Sequence, residues 1–205
     1  EVMMIDGRGL YLLGKFLGFP FGDDLSIPEL SMELLEISNK NRYSLLLFGT
    51  TAEINHKATK ALCVKYPCIN VHEGIDGFYN DEQEIKIVNE INLVKPDILY
   101  VGISSPKKEE FISKWKDKLD VKIILLCGGV IDIIAGDKKK TPNWLKKTGG
   151  ASLFRFVQEP RRLYKYFFPF ILFMLFKFIP LLLFQVIILK NKEFSLVKHY
   201  NLDKT

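Results

Sequence analysis

Four short apolar runs constrain the fold of this 205-residue chain more than any other feature. They are "SLLLFG" (Ser44 to Gly49), "CINVHE" (Cys68 to Glu73), "DILYVG" (Asp97 to Gly102) and "VKIILLCGG" (Val121 to Gly129). In three of them the apolar residues are consecutive rather than alternating. A strand of that kind must be covered on both faces, which is the situation of a parallel sheet between helices. The intervening segments carry helical spacing. Thr50 to Tyr66 places Ile54, Ala58, Ala61 and Leu62 on a stripe, and Asp81 to Val94 does the same with Ile85, Val88 and Ile91. Pro106 stands where proline opens a helix, with Phe111, Ile112 and Trp115 on the apolar side. Leu10 to Leu17 and Leu30 to Ile37 also read as helical and pack against the sheet. The alternation predicts an α/β fold, a Rossmann-like doubly wound and mostly parallel sheet. The length suits one core with appendages.

Ligands of such sheets bind at the carboxyl ends of the strands. Here those ends carry Gly49-Thr50-Thr51, Gly102 to Pro106 and Gly128-Gly129. Glycine lets a ligand approach the backbone, and amides at helix starts favour phosphate; the same glycines also serve as plain turn residues. The stretch "GRGLYLLG" is not GxGxxG, because its third glycine comes too late, and there is no Walker motif. No DxD carboxylate pair is present. Cys63, Cys68 and Cys127 are odd in number and contain no CxxC, so they predict core thiols rather than a disulfide framework or a zinc site. His56, His72 and His199 have no metal-ligand spacing. No cofactor and no metal are predicted.

Four blocks in order, "IDGRGL", "YVGISSPKKEEFI", "CGGVIDIIAGDKKKTPNWL" and "FRFVQEPRRL", resemble the WecG/TagA/CpsF family of bacterial glycosyltransferases. The corresponding family blocks read DGxG, VGxGxPKQExWI, GGxFDxxAGxxxRAPxW and LYRLxxEPxR. The resemblance implies an inverting, metal-independent transfer from a UDP-sugar, N-acetylmannosamine-type or a related hexose. The acceptor it implies is a polyprenyl-diphosphate-linked sugar at the cytoplasmic membrane, in the synthesis of teichoic acid, capsule or related polysaccharides.

Carried onto this sequence, the resemblance puts the catalytic base at Asp6, a carboxylate suited to taking a proton from the attacking acceptor hydroxyl. An Asp before Gly also suits a simple turn. Donor contacts are expected from Gly49, Gly102, Lys108, Gly128, Gly129 and Asp132. Lys108 stands where the family has Gln, so "PKKE" offers a phosphate-binding cation in place of an amide. The resemblance implies that Asp132 meets the nucleotide base; the alternative is a carboxylate capping its own helix start. Arg155, Arg162 and Lys165 fall on basic positions of the family's C-terminal appendage. Their spacing of seven and three predicts one helical face able to hold the acceptor diphosphate. Other departures are "SIPEL" for TGxDL, Ile131 for the aromatic of GGxFD, and "GAS" for LEW. The family also begins some fifty residues earlier, with a Thr-Pro-Asn stretch lining the pocket, so this chain reads as lacking part of one wall of the site.

Charge and hydropathy shift together near the end. The formal net charge is +5, and from Lys138 to Lys165 nine Lys or Arg face one acid, Glu159. Such a face suggests an anionic partner, phosphates or a lipid surface, the alternative being a solvated helix face; no nucleic-acid partner is expected. It runs into Phe167 to Leu189, which as one helix would reach about 34 Å against about 30 Å of hydrocarbon. Each of its many Phe, Leu and Ile residues favours insertion by about 0.3 to 0.6 kcal/mol, which outweighs the cost of Lys177. A membrane segment is therefore expected, with Pro180 able to kink or divide it. The resulting organisation is an α/β domain over 1–150, a basic appendage over 151–166, a membrane segment over 167–189 and a polar tail over 190–205. Self-association into a homo-oligomer is left open. Two rival functions stand beside the transferase: an inactive membrane scaffold that binds lipid-linked glycan or partner enzymes, and a membrane-anchored oxidoreductase, which the absent GxGxxG disfavours.

Overall fold

The computed structural model describes residues 26–142 and 150–184, together with Tyr11, Lys15, Trp144 and Leu145. The chain divides into two compact units, one of Leu25–Lys140 and another that contains 150–184.

The first unit is built on four parallel strands: β1 (Ser44–Gly49), β2 (Asn70–Val71), β3 (Ile98–Gly102) and β4 (Ile123–Leu126), in the order β2-β1-β3-β4. Successive side chains leave a strand on opposite faces, and β1 shows the consequence. Leu45 and Leu47 join a cluster with Leu35, Ala58, Leu62, Tyr100 and Ile131. Leu46 and Phe48 join another with Val88, Ile91, Phe111 and Trp115. Helices α1 (Ile27–Asn41), α2 (Ala52–Lys65) and α5 (Val130–Ile134) therefore cover one face, and α3 (Glu84–Val94) and α4 (Lys107–Trp115) cover the other. This is the doubly wound α/β sheet expected from the apolar runs.

Details differ where a polar group has a better partner than the one the pattern assigns. The run "CINVHE" keeps only Asn70–Val71 as strand. Beyond it pairing lapses and resumes as a single parallel bridge at Ile75, where the buried Asn55 amide donates to the carbonyls of Gly49 and Ile75 at 2.7 and 2.8 Å. In α3 the buried stripe is Glu84, Ile87, Val88 and Ile91, and Ile85 is exposed. Glu84 can go inside because Lys114 (2.7 Å) and the Trp115 indole N–H (2.9 Å) both donate to its carboxylate. In α1, Ser31 and Ser38 are buried and donate to carbonyls one turn back, while the Tyr100 hydroxyl donates to the Ser31 carbonyl at 2.6 Å. Leu10 to Leu17 lies outside the described residues apart from Tyr11 and Lys15.

In the second unit, α6 (Ala151–Gln158) is followed by α7 (Pro160–Phe173), a π-helical stretch Met174–Phe178 and α8 (Ile179–Leu183). Pro160 separates α6 from α7: the residue before a proline is driven out of the helical region, and Glu159 sits at φ −133°, ψ 58°. Pro180 has no N–H to continue an α-helical ladder. Just before it the Ile179 N–H reaches five residues back, to the Met174 carbonyl. Among the described residues no helix is long and apolar enough to cross a membrane. The membrane segment expected over 167–189, with Pro180 able to kink or divide it, is thus not supported as a spanning helix: 167–184 forms α-, π- and α-helical pieces around Lys177 and Pro180. Residues 185–189 lie outside the described residues.

Candidate functional site

The strand order places β1 and β3 side by side at the point where the connections diverge, β1 leading outward to β2 and β3 outward to β4. Their last residues, Gly49 and Gly102, are register partners. A Cβ on Gly49 would lie 2.5 Å from the Gly102 carbonyl carbon, so no side chain is tolerated there. The third neighbour, β4, runs into Cys127, Gly128 and Gly129. The strand ends thus converge as the sequence placed them, but Gly49 is packed against the backbone of Gly102 and Gly77 and Gly102 against Ile131, and the open backbone is at Gly128 and Gly129.

Around the strand ends the polar groups are tied down in a specific way. Thr50 has φ +52°, an unfavourable region for a β-branched residue. Two bonds hold it there: its carbonyl accepts the Gly77 N–H at 2.8 Å, and its hydroxyl donates to Asp132 Oδ1 at 2.9 Å. The other Asp132 oxygen accepts the Lys138 ammonium at 2.9 Å. The Asp132 side chain is thus not a cap on its own helix; it links the end of β1 to the turn after α5.

The start of α2 is also already occupied. Thr51 accepts the Ile54 N–H at 3.3 Å, and Asp76 accepts those of Ala52 (3.2 Å) and Phe78 (2.7 Å). Side-chain carboxylate and hydroxyl stand where the sequence reading expected amides open to phosphate. The loop so fastened displays Phe78, 77% exposed, while its neighbour Tyr79 turns inward against Phe48 and Phe111 with ring centroids 5.7 and 6.1 Å away. Burial, followed by the field of Glu84, pushes the Tyr79 phenol up to about 12. The Lys107 ammonium lies 3.5 Å from the centre of the Tyr79 ring and donates to the Tyr79 carbonyl.

Lys108, on the first turn of α4, keeps its ammonium largely covered and 3.5 Å from Glu109. Glu109 also accepts the Ser105 hydroxyl at 2.8 Å; burial acts to raise its carboxyl, but the Ser105 bond, its own backbone and Lys108 together outweigh that and lower it. Burial pushes the Cys127 thiol up to about 12, and that thiol feels the charges of both Lys108 and Asp132. A protonated thiol of this kind is a core group, not a nucleophile; Cys63 and Cys68, also expected in the core, are instead exposed. Among the described residues no group of three His, Cys, Asp or Glu is arranged to hold a metal ion.

Of the residues singled out from the sequence, Gly49, Gly102, Gly128, Gly129, Lys108 and Asp132 all lie at the carboxyl ends of β1, β3 and β4 or on the first turns that follow. Asp6 lies outside the described residues. Arg155, Arg162 and Lys165 do not share one helix: Arg155 is on α6, and the other two are on α7 beyond the break at Glu159. The continuous face predicted from spacing alone is corrected accordingly. The sequence reading missed Asn55 and Asp76, and named Thr50 and Lys138 only as parts of a strand end and of a basic stretch. Asp76-Gly77 is a turn signature that could have been found. Asn55 shares the buried stripe of α2 with Ala58 and Leu62, where a lone polar residue is itself a signal.

A family model described as the Glycosyl transferase WecG/TagA/CpsF family matches residues 1–191. Among curated proteins, an N-acetylglucosaminyldiphosphoundecaprenol N-acetyl-beta-D-mannosaminyltransferase of Staphylococcus aureus (strain MRSA252) is 30% identical over 163 residues, 78% of this chain and 63% of its own length. Proteins of the same name from strains MW2 and NCTC 8325 / PS 47 are 29% identical over the same extents. The matched part of this chain thus spans 63% of the length of these relatives.

Proposed function

The chain belongs to the glycosyl transferase WecG/TagA/CpsF family, and from that premise we propose that it takes part in moving a sugar from a UDP-sugar to a polyprenyl-diphosphate-linked sugar. The observation that carries this reading is the convergence of the strand ends at Gly49, Gly102 and Gly128-Gly129, with open backbone at Gly128-Gly129 and Lys138 held beside it by Asp132. A nucleoside diphosphate suits such a place: its phosphates need close approach to backbone and a compensating cation. The donor is of the N-acetylmannosamine type or a related hexose.

In this reading Asp6 takes the proton from the acceptor hydroxyl as that oxygen attacks the anomeric carbon. The bond to UDP breaks with its electron pair leaving on the phosphate oxygen, and the configuration inverts. Lysine ammonium groups, Lys108 among them, meet the charge that develops on the leaving diphosphate. The transfer uses no metal.

For the acceptor we propose a lipid held at the face of the cytoplasmic membrane, with Arg155, Arg162 and Lys165 on its diphosphate. Two features support it. Helix α6 is strongly amphipathic, and the exposed apolar residues Leu153, Val157, Phe168 and Phe176 share the segment with these basic residues. Such helices lie in the plane of a bilayer interface.

The test is a turnover assay in membranes or detergent. UDP-N-acetylmannosamine and a panel of other UDP-sugars are offered with a polyprenyl-diphosphate-linked N-acetylglucosamine, with and without EDTA. The reading expects transfer with inversion that survives EDTA. Acceptor binding without turnover of any donor would favour the scaffold, and EDTA-sensitive activity restored by Mg²⁺ or Mn²⁺ would remove the metal-free step.

A further inference from the structure

We infer that Lys138 is a cation of the strand-end site that contacts the donor's diphosphate, with Asp132 as the positioning residue that holds it there. This rests on the donor reading above.

The fold brings Lys138 to this place through Asp132 at both ends of the residue. Helix α5 stops at Ile134, and Gly136 turns the chain at φ +78°. The amides of Asp137 and Lys138 then return to the Asp132 carbonyl at 3.0 and 3.2 Å. The lysine side chain folds back the same way, and its ammonium reaches Asp132 Oδ2 at 2.9 Å. The remaining carboxylate oxygen is taken by the Thr50 hydroxyl, which fixes the arrangement to the end of β1.

Accessibility decides which member of this group meets a ligand. Asp132 is 9% exposed, with a protein donor on each oxygen. The Lys138 side chain is 24% exposed. The member facing solvent is therefore the cation, and an anion is the ligand it suits. Room for one exists alongside. The ideal Cβ position on Gly128 has nothing within 4 Å, and that on Gly129 has only Asp132 Oδ2, at 3.5 Å. An ion pair this buried contributes little net stability against an apolar replacement, so stability alone does not account for it. Asp132 is accordingly a positioning residue: it acts on the donor through the lysine it orients.

The experiment is calorimetric titration of the full chain with uridine, UMP and UDP, in the wild type and in Lys138→Met and Lys138→Arg. Loss of a charge-assisted contact should weaken UDP by roughly 10- to 100-fold in Lys138→Met, with uridine changed by less than about threefold. Lys138→Arg keeps the charge and should hold most of the UDP affinity. Lys138→Gln carries the same expectation as the methionine variant should that one not fold. A variant that weakens uridine and UDP by the same factor, or neither of them, overturns the inference while leaving the donor reading intact. A wild-type chain that binds uridine and UDP equally, or neither, overturns the donor reading and this inference with it.

Discussion

The sheet unit and the C-terminal segment are both rich in apolar residues, and they spend them in opposite ways. In the sheet unit Leu45, Leu47, Phe48, Ile91, Leu99, Tyr100 and Phe111 are fully buried, sorted onto two faces by the pleat. In 150–184, Leu153, Val157, Phe168, Leu175, Phe176 and Phe184 are exposed, and Leu182 alone among the described large apolar residues there is buried. Apolar surface left in water on this scale marks a binding surface rather than a core. The lesson is that apolar content is not by itself a sign of folding: its period, and what interrupts it, tell the two uses apart. In the sheet unit glycines end β1 and β3, whereas in the segment the breaks fall at Pro160 and beside Pro180, with Pro169 carried inside α7.

The largest effect expected from this division is on chemistry. Asp6→Asn should lower turnover by about 10² to 10⁴ without changing vesicle attachment; normal turnover in that variant would remove Asp6 from the mechanism. Next comes the cost of truncating a large apolar side chain in each region. Phe111→Ala should destabilise the sheet unit by about 3 to 5 kcal/mol, whereas Phe176→Ala should change stability by less than about 0.5 kcal/mol, both read from denaturant unfolding. Equal effects would erase the distinction between core and surface. Asn55→Ala should cost about 1 to 3 kcal/mol, because the carbonyls of Gly49 and Ile75 lose their shared donor. An undiminished melting temperature would show that the loop after β2 does not depend on this residue.

The smallest effect is a pH dependence inside the sheet unit. Asp97 accepts from Lys122 (2.7 Å), from the Ser44 amide (2.8 Å) and from the Ser44 hydroxyl (2.9 Å). Those bonds, led by Lys122, lower its carboxyl from 3.8 to about 2. The folded form therefore holds its proton less tightly than the unfolded form. The stabilisation is complete above about pH 4 and is lost as the pH falls from there toward 2. Allowing for solvent screening it is about 1 kcal/mol. Asp97→Asn should flatten that part of the acid-unfolding curve, and an unchanged curve would contradict the assignment.

Much of the sheet unit was legible in the sequence because strand burial is written locally. Ser44–Gly49 is strand over the whole of its apolar run, and the glycines at the strand ends converge as expected. What was not legible depends on where a polar side chain finds its partner. Glu84 goes inside and Ile85 outside because Lys114 and Trp115 arrive from another helix. Asn55 replaces a strand partner with its amide, and Asp132 bonds Thr50, 82 residues earlier in the chain. The arrangement of Arg155, Arg162 and Lys165 failed to follow from spacing because Pro160 ends the helix on which that spacing relied.

The division of labour is tested most directly by one paired measurement on the full chain carrying Leu175→Ser and Phe176→Ser together. Binding to anionic lipid vesicles and binding of UDP are followed in the same preparation. Two exposed apolar side chains should contribute about 1.5 to 3 kcal/mol each to bilayer attachment. Vesicle affinity should therefore fall by an order of magnitude or more while UDP affinity stays as in the wild type. Vesicle binding that persists, or UDP binding that falls in step with it, would contradict the account.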